Sequence, residues 1–366
     1  MKIGFFSPLP PARTGVADYS AALLARMRQH GHVEVGDQTA DVPLYHLGNN
    51  QLHRDIYDRA LRRPGVVVLH DAVLHHFFLG SLTEASYVAE FTYNYGAWSQ
   101  DQARQLWRER ARSAADPRYF RYPMLKRIAE TSRAVIVHNP GAAELVRAHA
   151  PSANLCEVPF LFDPPALSQP FEIERLRVSM GIPASTLLCG VFGHLRESKR
   201  VLPILRAFGQ ARSQVKVALL IAGEFVSTDL ARTAEPLLNS PGIFRLGYTP
   251  GNQFWQLASM VDVCINLRYP AAGETSAIGS SLMGIGKPVL FTAGPETSRF
   301  PEASCLRVDA GVAEEEMVAQ YLIWLALNRR DAVAMGVRAA EHIRERHAPD
   351  QVAKLYWDVC QNVLVS

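Results

Sequence analysis

No apolar run in the 366-residue sequence reaches the roughly 18 residues that a membrane-spanning helix needs. Met1-Lys2 leads straight into an apolar strand pattern, without a charged and then apolar secretory leader. A soluble, cytoplasmic protein is expected. Cysteine is sparse: Cys156, Cys189, Cys264, Cys305 and Cys360 stand apart, mostly in apolar runs, with no CxxC and no metal-ligand spacing. They read as reduced core residues rather than as a disulfide framework or a metal site. Charge of either sign is nearly balanced, and a net +3 is too small to imply nucleic acid. The GxGxxG fingerprint does not follow the first strand pattern, which argues against a Rossmann dinucleotide site. The run 279–287 is not a phosphate-binding P-loop, because its glycine spacing is wrong and Lys287 is followed by Pro288.

What is present is a repeated strand–loop–helix grammar. Strands are expected at 2–7, 44–47, 66–69, 134–138 and 155–159, with helices at 17–30 and 141–150. A proline-rich stretch, 162–170, reads as a linker. The grammar then restarts, with strands at 187–192, 217–222, 243–246, 261–267 and 289–291. Helices are expected at 173–180, 201–212, 252–260, 313–327, 329–346 and 349–364. The length suits two domains of about 150–200 residues each. Two alternating β/α halves imply two doubly wound domains facing a cleft.

The stretch 266–290 concentrates the candidate chemistry. Arg268 to Gly273 reads as a loop, and Glu274-Thr275-Ser276 as the first turn of a helix, where free N–H groups and the dipole favour acceptors and a carboxylate. Strand, polar loop and helix N-terminus is where such folds place an anionic ligand. An ordinary capped βαβ unit fits the local pattern equally well. Arg196, Lys199 and Arg200 follow another strand and would complete a cationic cradle for a diphosphate if the two loops meet. His70-Asp71 ends the buried 66–69 strand, where such sheets open their active edge. His70, His75 and His76 do not make a metal site, because no convergent carboxylate or cysteine accompanies them. Residues 104–133 are basic, with Arg104, Arg108, Arg110, Arg112, Arg118, Arg121, Lys126, Arg127 and Arg133 interleaved with aromatic rings. A solvated helix face and a surface for anionic lipid both fit this run.

In order and spacing, Ser7-Pro8…Gly15, Val-Val-Leu-His70-Asp71, Val137-His138-Asn139, Val158-Pro159, Gly193…Lys199, Ala222-Gly223-Glu224, Leu246-Gly247-Tyr248, Gly273-Glu274 and Gly286-Lys287-Pro288-Val289 resemble the family 4 retaining glycosyltransferases of the GT-B fold. The resemblance spans nearly the whole chain. It implies an acceptor-binding domain over 1–165 and a nucleotide-sugar donor domain over 166–345. A C-terminal helix, 346–366, would cross back to the first domain. It implies that Lys199 binds the donor diphosphate, assisted by Arg196 or Arg200. Glu274 would hold donor sugar hydroxyls, with Thr275 and Ser276 near the phosphate and His70 beside the transferred sugar. Gly15, Gly247, Tyr248 and Arg268 join the donor contacts, and Asp71 and Arg13 the acceptor side. No cofactor or metal is expected, only the nucleotide sugar as co-substrate. The acceptor would be a saccharide or a lipid-linked molecule, reached from the cytoplasm or from the inner membrane face. Nucleic acid is not an expected partner.

The sequence departs from the family pattern at three points. His194 stands where an arginine is common, and Phe160 where histidine or asparagine is frequent. Glu274 lies one residue closer to the Gly-Lys-Pro-Val run, and Ser281 occupies the position of a second glutamate that usually holds the ribose. A variant subgroup with a Gly-Glu-Thr-Ser motif fits these departures. A non-catalytic binding or scaffolding relative fits them too, and a sugar-nucleotide epimerase on the same fold is a further alternative.

Overall fold

In the computed structural model, which describes residues 1–365, strands and helices alternate and build two six-stranded sheets. Every strand pair is parallel. The fold is α/β with two Rossmann-like doubly wound sheets, as the alternating grammar suggests. The chain forms two compact units. One holds Met1–Asp163, Pro270–Thr275 and the C-terminal residues from His347; the other holds Pro164–Tyr269 and Ser276–Arg346.

The sheet of the first unit contains β1 (Lys2–Phe6), β2 (His32–Val35), β3 (Val42–Leu47), β4 (Val66–Leu69), β5 (Ala134–Val137) and β6 (Leu155–Glu157), in the order β2-β1-β3-β4-β5-β6. All residues of β3, β4 and β5 are buried. That is why the central strands are continuous apolar runs, since helices cover both faces of a parallel sheet. The C-terminal helix Pro349–Val365 packs on helix Gly15–Met27. The Tyr19 and Tyr356 hydroxyls meet at 2.9 Å, and the Trp357 ring covers Gly31 so closely that a Cβ there would lie 2.2 Å from it.

The second unit contains β7 (Leu187–Phe192), β8 (Val217–Ala222), β9 (Ile243–Leu246), β10 (Val263–Asn266), β11 (Val289–Thr292) and β12 (Leu306–Val308), in the order β12-β11-β10-β7-β8-β9. The strand order reverses between β7 and β10, which pair directly through Val263 with Cys189 and Cys264 with Gly190. Loops leaving the carboxyl ends of two such strands diverge and open a crevice for a ligand. In the first sheet the corresponding reversal falls between β1 and β3.

Several elements go beyond the sequence reading, among them helices Arg54–Arg62, Glu84–Tyr95 and Gln100–Glu109. β2 and β12 are short edge strands without an apolar run; β2 buries only Val33. Helix Thr228–Leu238 carries Pro236 in its interior, a residue that ordinarily argues against a helix.

Candidate functional site

At the strand reversal of the second unit, β7 ends in Phe192 and the chain turns at Gly193, whose φ of +81° suits glycine. Gly223, after β8, packs backbone to backbone against this turn: a Cβ there would lie 2.1 Å from the Gly193 carbonyl oxygen. The loop continues through a short 3₁₀ turn, Glu197–Lys199, into helix Val201–Arg212. Lys199 is buried, and its Nζ donates to the Phe192 carbonyl. A Cβ on Gly193 would sit 3.1 Å from that Nζ and 2.7 Å from Ile278 Cδ1, in the first turn of helix Ala277–Gly284. The glycine turn, the lysine ammonium and the amino end of this helix therefore converge on one point. Ser276 caps the helix, its Oγ accepting from the Gly279 N–H at 3.2 Å.

The loop after β10 touches the 196–200 loop at its start, where the Tyr269 N–H donates to the Ser198 carbonyl at 2.7 Å. Arg268 lies in the same loop, its N–H donating to Thr292 Oγ1 at 2.9 Å. The three cations of the 196–200 loop are not equivalent. Arg200 takes a left-handed backbone and forks onto Glu314 at 2.6–3.0 Å, a carboxylate only 1% exposed. That pair ties the loop to helix Glu314–Leu327. Arg196 is exposed, as is His194. Asn266, closing β10, is 5% exposed, and its Nδ2 has no partner. Ser281 is half-buried in helix Ala277–Gly284. Gly247 and the half-exposed Tyr248 follow β9, two strands and so roughly 10 Å from β7.

Glu274 and Thr275 require a correction. The sequence suggests that they open the helix after β10, but the helix begins at Ala277 and has no acidic residue in its first turn. Residues Pro270–Thr275 pack instead with the first unit. There the Ala72 N–H donates to the Ala272 carbonyl at 2.8 Å, and Asn139 Nδ2 reaches the Gly273 carbonyl at 3.0 Å and Thr275 Oγ1 at 2.9 Å. Glu274 accepts from the Ala272 N–H at 2.7 Å, which braces the turn. The Glu274 loop thus lies against the residues that follow His70-Asp71. Asn139, which the sequence flagged only as part of the Val-His-Asn pattern, is thus a side chain that holds this loop.

His70 ends β4 within a buried ring cluster. Its Nε2 meets His46 Nδ1 at 2.9 Å, and His53 Nδ1 donates to the His46 carbonyl at 2.9 Å. His138 commits Nδ1 to the Val158 carbonyl at 3.0 Å and presents Nε2 to the Tyr356 hydroxyl at 3.4 Å. Burial, reinforced by His46, His138 and His53, holds His70 well below the ordinary histidine range. Burial pushes both His53 and His138 down to about 4. These rings are neutral near pH 7, so His70 offers a polar, uncharged edge. Asp71 accepts from the Asn49 N–H at 2.7 Å. Arg13 and Gly15 are exposed after β1, and a Cβ on Gly15 would meet nothing within 4 Å. His75 is buried; its Nδ1 donates to the Tyr122 carbonyl at 3.1 Å, and its Nε2 meets the Tyr87 hydroxyl at 2.7 Å.

The basic stretch is partly neutralised. Arg118 pairs with Glu109 and Asp116, Arg127 with Glu90 at 2.6 Å and Arg104 with Asp101 at 3.2 Å. Arg110 lies over the Trp107 ring at 4.3 Å, while Arg108, Arg112 and Arg121 are exposed. A surface concavity of about 740 Å³ in the second unit runs along helix Pro170–Ser179 past Phe171, Ile173 and Val178. It brings together none of the candidate residues.

No family model matches the sequence, and no curated protein resembles it closely enough to be matched. Solved structures do match. HepE of Anabaena in complex with UDP-glucose has a TM-score of 0.70 at 16% identity, covering 99% of this chain and 100% of its own. Sucrose-phosphate synthase from Thermosynechococcus elongatus has a TM-score of 0.70 at 13% identity, covering 100% of this chain and 99% of its own. WaaG, a glycosyltransferase involved in lipopolysaccharide biosynthesis, has a TM-score of 0.59 at 15% identity, over 96% of this chain and 99% of its own. At these identities the likeness is one of fold, and over nearly its whole length the chain has the two-sheet α/β fold of these proteins.

Proposed function

We propose that this protein is a retaining glycosyltransferase that moves a hexose-type sugar from a nucleotide-diphosphate sugar to an acceptor hydroxyl, in polysaccharide, glycolipid or glycoconjugate synthesis. The observation that carries this reading is the convergence of the Gly193 turn, the buried Lys199 ammonium and the amino end of helix Ala277–Gly284 at the β7/β10 reversal. A diphosphate suits that point, since backbone N–H groups, the helix dipole and a fixed cation all favour negative charge there. HepE of Anabaena, which shares the fold, was solved with UDP-glucose.

In this scheme the sugar–oxygen bond breaks as charge develops on the leaving diphosphate. Lys199, Arg196 and the helix amino end stabilise that charge. These protein groups neutralise the leaving group, so the scheme needs no metal. The acceptor attacks from the leaving-group face, and a phosphate oxygen takes its proton, so no dedicated base is needed. Glu274 and Thr275 hold sugar hydroxyls, the neutral His70 edge lies beside the transferred sugar, and Asp71 and Arg13 orient the acceptor. Gly247 and Tyr248 meet the base, and Ser281 stands in the ribose position. Arg108, Arg112 and Arg121 supply a positive face for an anionic leaflet bearing a lipid-linked acceptor.

The competing reading is a scaffold that binds nucleotide sugar without turning it over, favoured by Ser281 and His194 in place of the family's usual contacts. Incubating the protein with UDP, GDP and dTDP sugars and following nucleoside diphosphate release separates the two. Release from one donor, slow in water and faster with a glycan or lipid acceptor, is the expected result. Binding without release from any donor would support the scaffold instead.

A further inference from the structure

The opposite edge of the second sheet, where the strands begin, gathers positive charge that the proposed transfer does not use. Asp262, just before β10, accepts from the Leu188 N–H of β7 at 2.7 Å. It also pairs with Arg177 at 3.2 Å and Arg329 at 3.1 Å. Lys287, two residues before Val289 opens β11, turns its Nζ to the Ser259 carbonyl at 2.7 Å. Three cations therefore gather about one carboxylate. Between them opens a cavity of about 240 Å³, lined by Asp262, Lys287, Pro288, Arg329 and Val333. Two guanidinium nitrogens in this cluster, Arg177 Nε and Arg329 Nη1, are buried and without a hydrogen-bond partner.

The walls are held firmly. Helix Arg329–Arg346 begins at the cavity, and its amino end adds partial positive charge. Farther along, Gly336 presses on the Gly286 turn, where a Cβ would lie 2.0 Å from the Gly286 carbonyl oxygen. Burial, opposed by Asp262 and reinforced by Arg177, keeps the Lys287 ammonium below the ordinary lysine range. Partly buried cations in excess of their counter-charge are costly, and unpaired guanidinium donors add to that cost. An oxyanion in the cavity would supply counter-charge to Lys287 and Arg329, which line it, and a partner for the Arg329 fork, because planar guanidinium groups match phosphate geometry.

We propose that this cavity binds a phosphate group, either inorganic phosphate or a small monophosphate ester. It lies at the beginning of the strands, whereas the donor loops leave their ends; six-residue β7 puts the two edges about 20 Å apart. The full-length protein is titrated with inorganic phosphate and with methyl phosphate, at constant ionic strength against chloride, by thermal shift and calorimetry. A saturable response is expected to at least one probe, and which of them binds identifies the source of the phosphate. Arg329→Gln is expected to weaken that binding at least tenfold, whereas Lys199→Ala retains it. A response lost in Lys199→Ala and kept in Arg329→Gln would place the phosphate at the donor loops and overturn the proposal. So would the absence of any saturable response. If Arg329→Gln does not fold, Arg329→Lys keeps the charge but loses the fork, and wild-type affinity in that variant would overturn the assignment.

Discussion

Replacing Lys199 by alanine is expected to lower affinity for the donor nucleotide at least a hundredfold, which is about 2.7 kcal/mol. The ammonium is buried beside the Gly193 turn, where water does not screen it, and charge-assisted bonds to phosphate are the strong class. Arg200 cannot substitute, because its guanidinium is committed to Glu314. Lys199 also donates to the Phe192 carbonyl, so alanine removes a structural bond and leaves space. Lys199→Met keeps most of the side-chain volume and removes the charge alone. Both variants should lose the nucleotide in calorimetric titration, while Lys199→Met stays closer to wild-type thermal stability. Wild-type affinity in the methionine variant would remove this loop from the donor site.

The second large effect is acid lability. Because the folded values of His53 and His138 lie near 4, against about 6.5 when unfolded, the unfolded chain binds protons that the folded chain refuses. Their contribution is present above pH 6.5 and is lost as the pH falls from there toward 4. At pH 5 each ring costs about 2 kcal/mol relative to neutrality, so the pair costs about 4 kcal/mol. That is a large part of a typical folding free energy and corresponds to a drop of roughly 8–16 °C in melting temperature. His46 and His70 shift in the same direction and steepen the loss. Melting curves between pH 7.5 and 5 test this, and His138→Gln should flatten the slope. Equal stability at both ends of that range would mean that the cluster is not buried as described.

Much of the scaffold was legible because its signals are local. The run 217–222 is six apolar residues closed by Gly223, a length and an ending that suit a buried strand. Helix Val201–Arg212 falls on the expected residues because its apolar positions recur at helical spacing and Arg200 interrupts the chain before it. Lys199 and the Gly193 turn were readable for the same reason, since strand end, glycine and lysine lie within eight residues.

What escaped depends on distant partners. Nothing near Arg200 announces that Glu314, more than a hundred residues later, will occupy it. The Glu274 turn looked like the start of a helix because Ser276 is a good cap and the residues before it are polar. Asn139 and Ala72 bind that turn into the other unit, and no local pattern reveals them. His46 sits inside an apolar strand where a histidine looks incidental, and its meeting with His70 requires β3 and β4 to pair in register. β2, with one buried residue, carries almost no periodic signal.

The most direct test of the donor assignment is a thermal-shift panel of the wild-type protein with UDP, GDP, dTDP and their sugars. A ligand at about 100 times its dissociation constant stabilises the folded state by roughly 2.7 kcal/mol. A clear shift is expected with one nucleotide and its sugars, and little with the others. No shift with any of them would contradict the account and leave Ser281 and His194 as the marks of a donor site that has been lost.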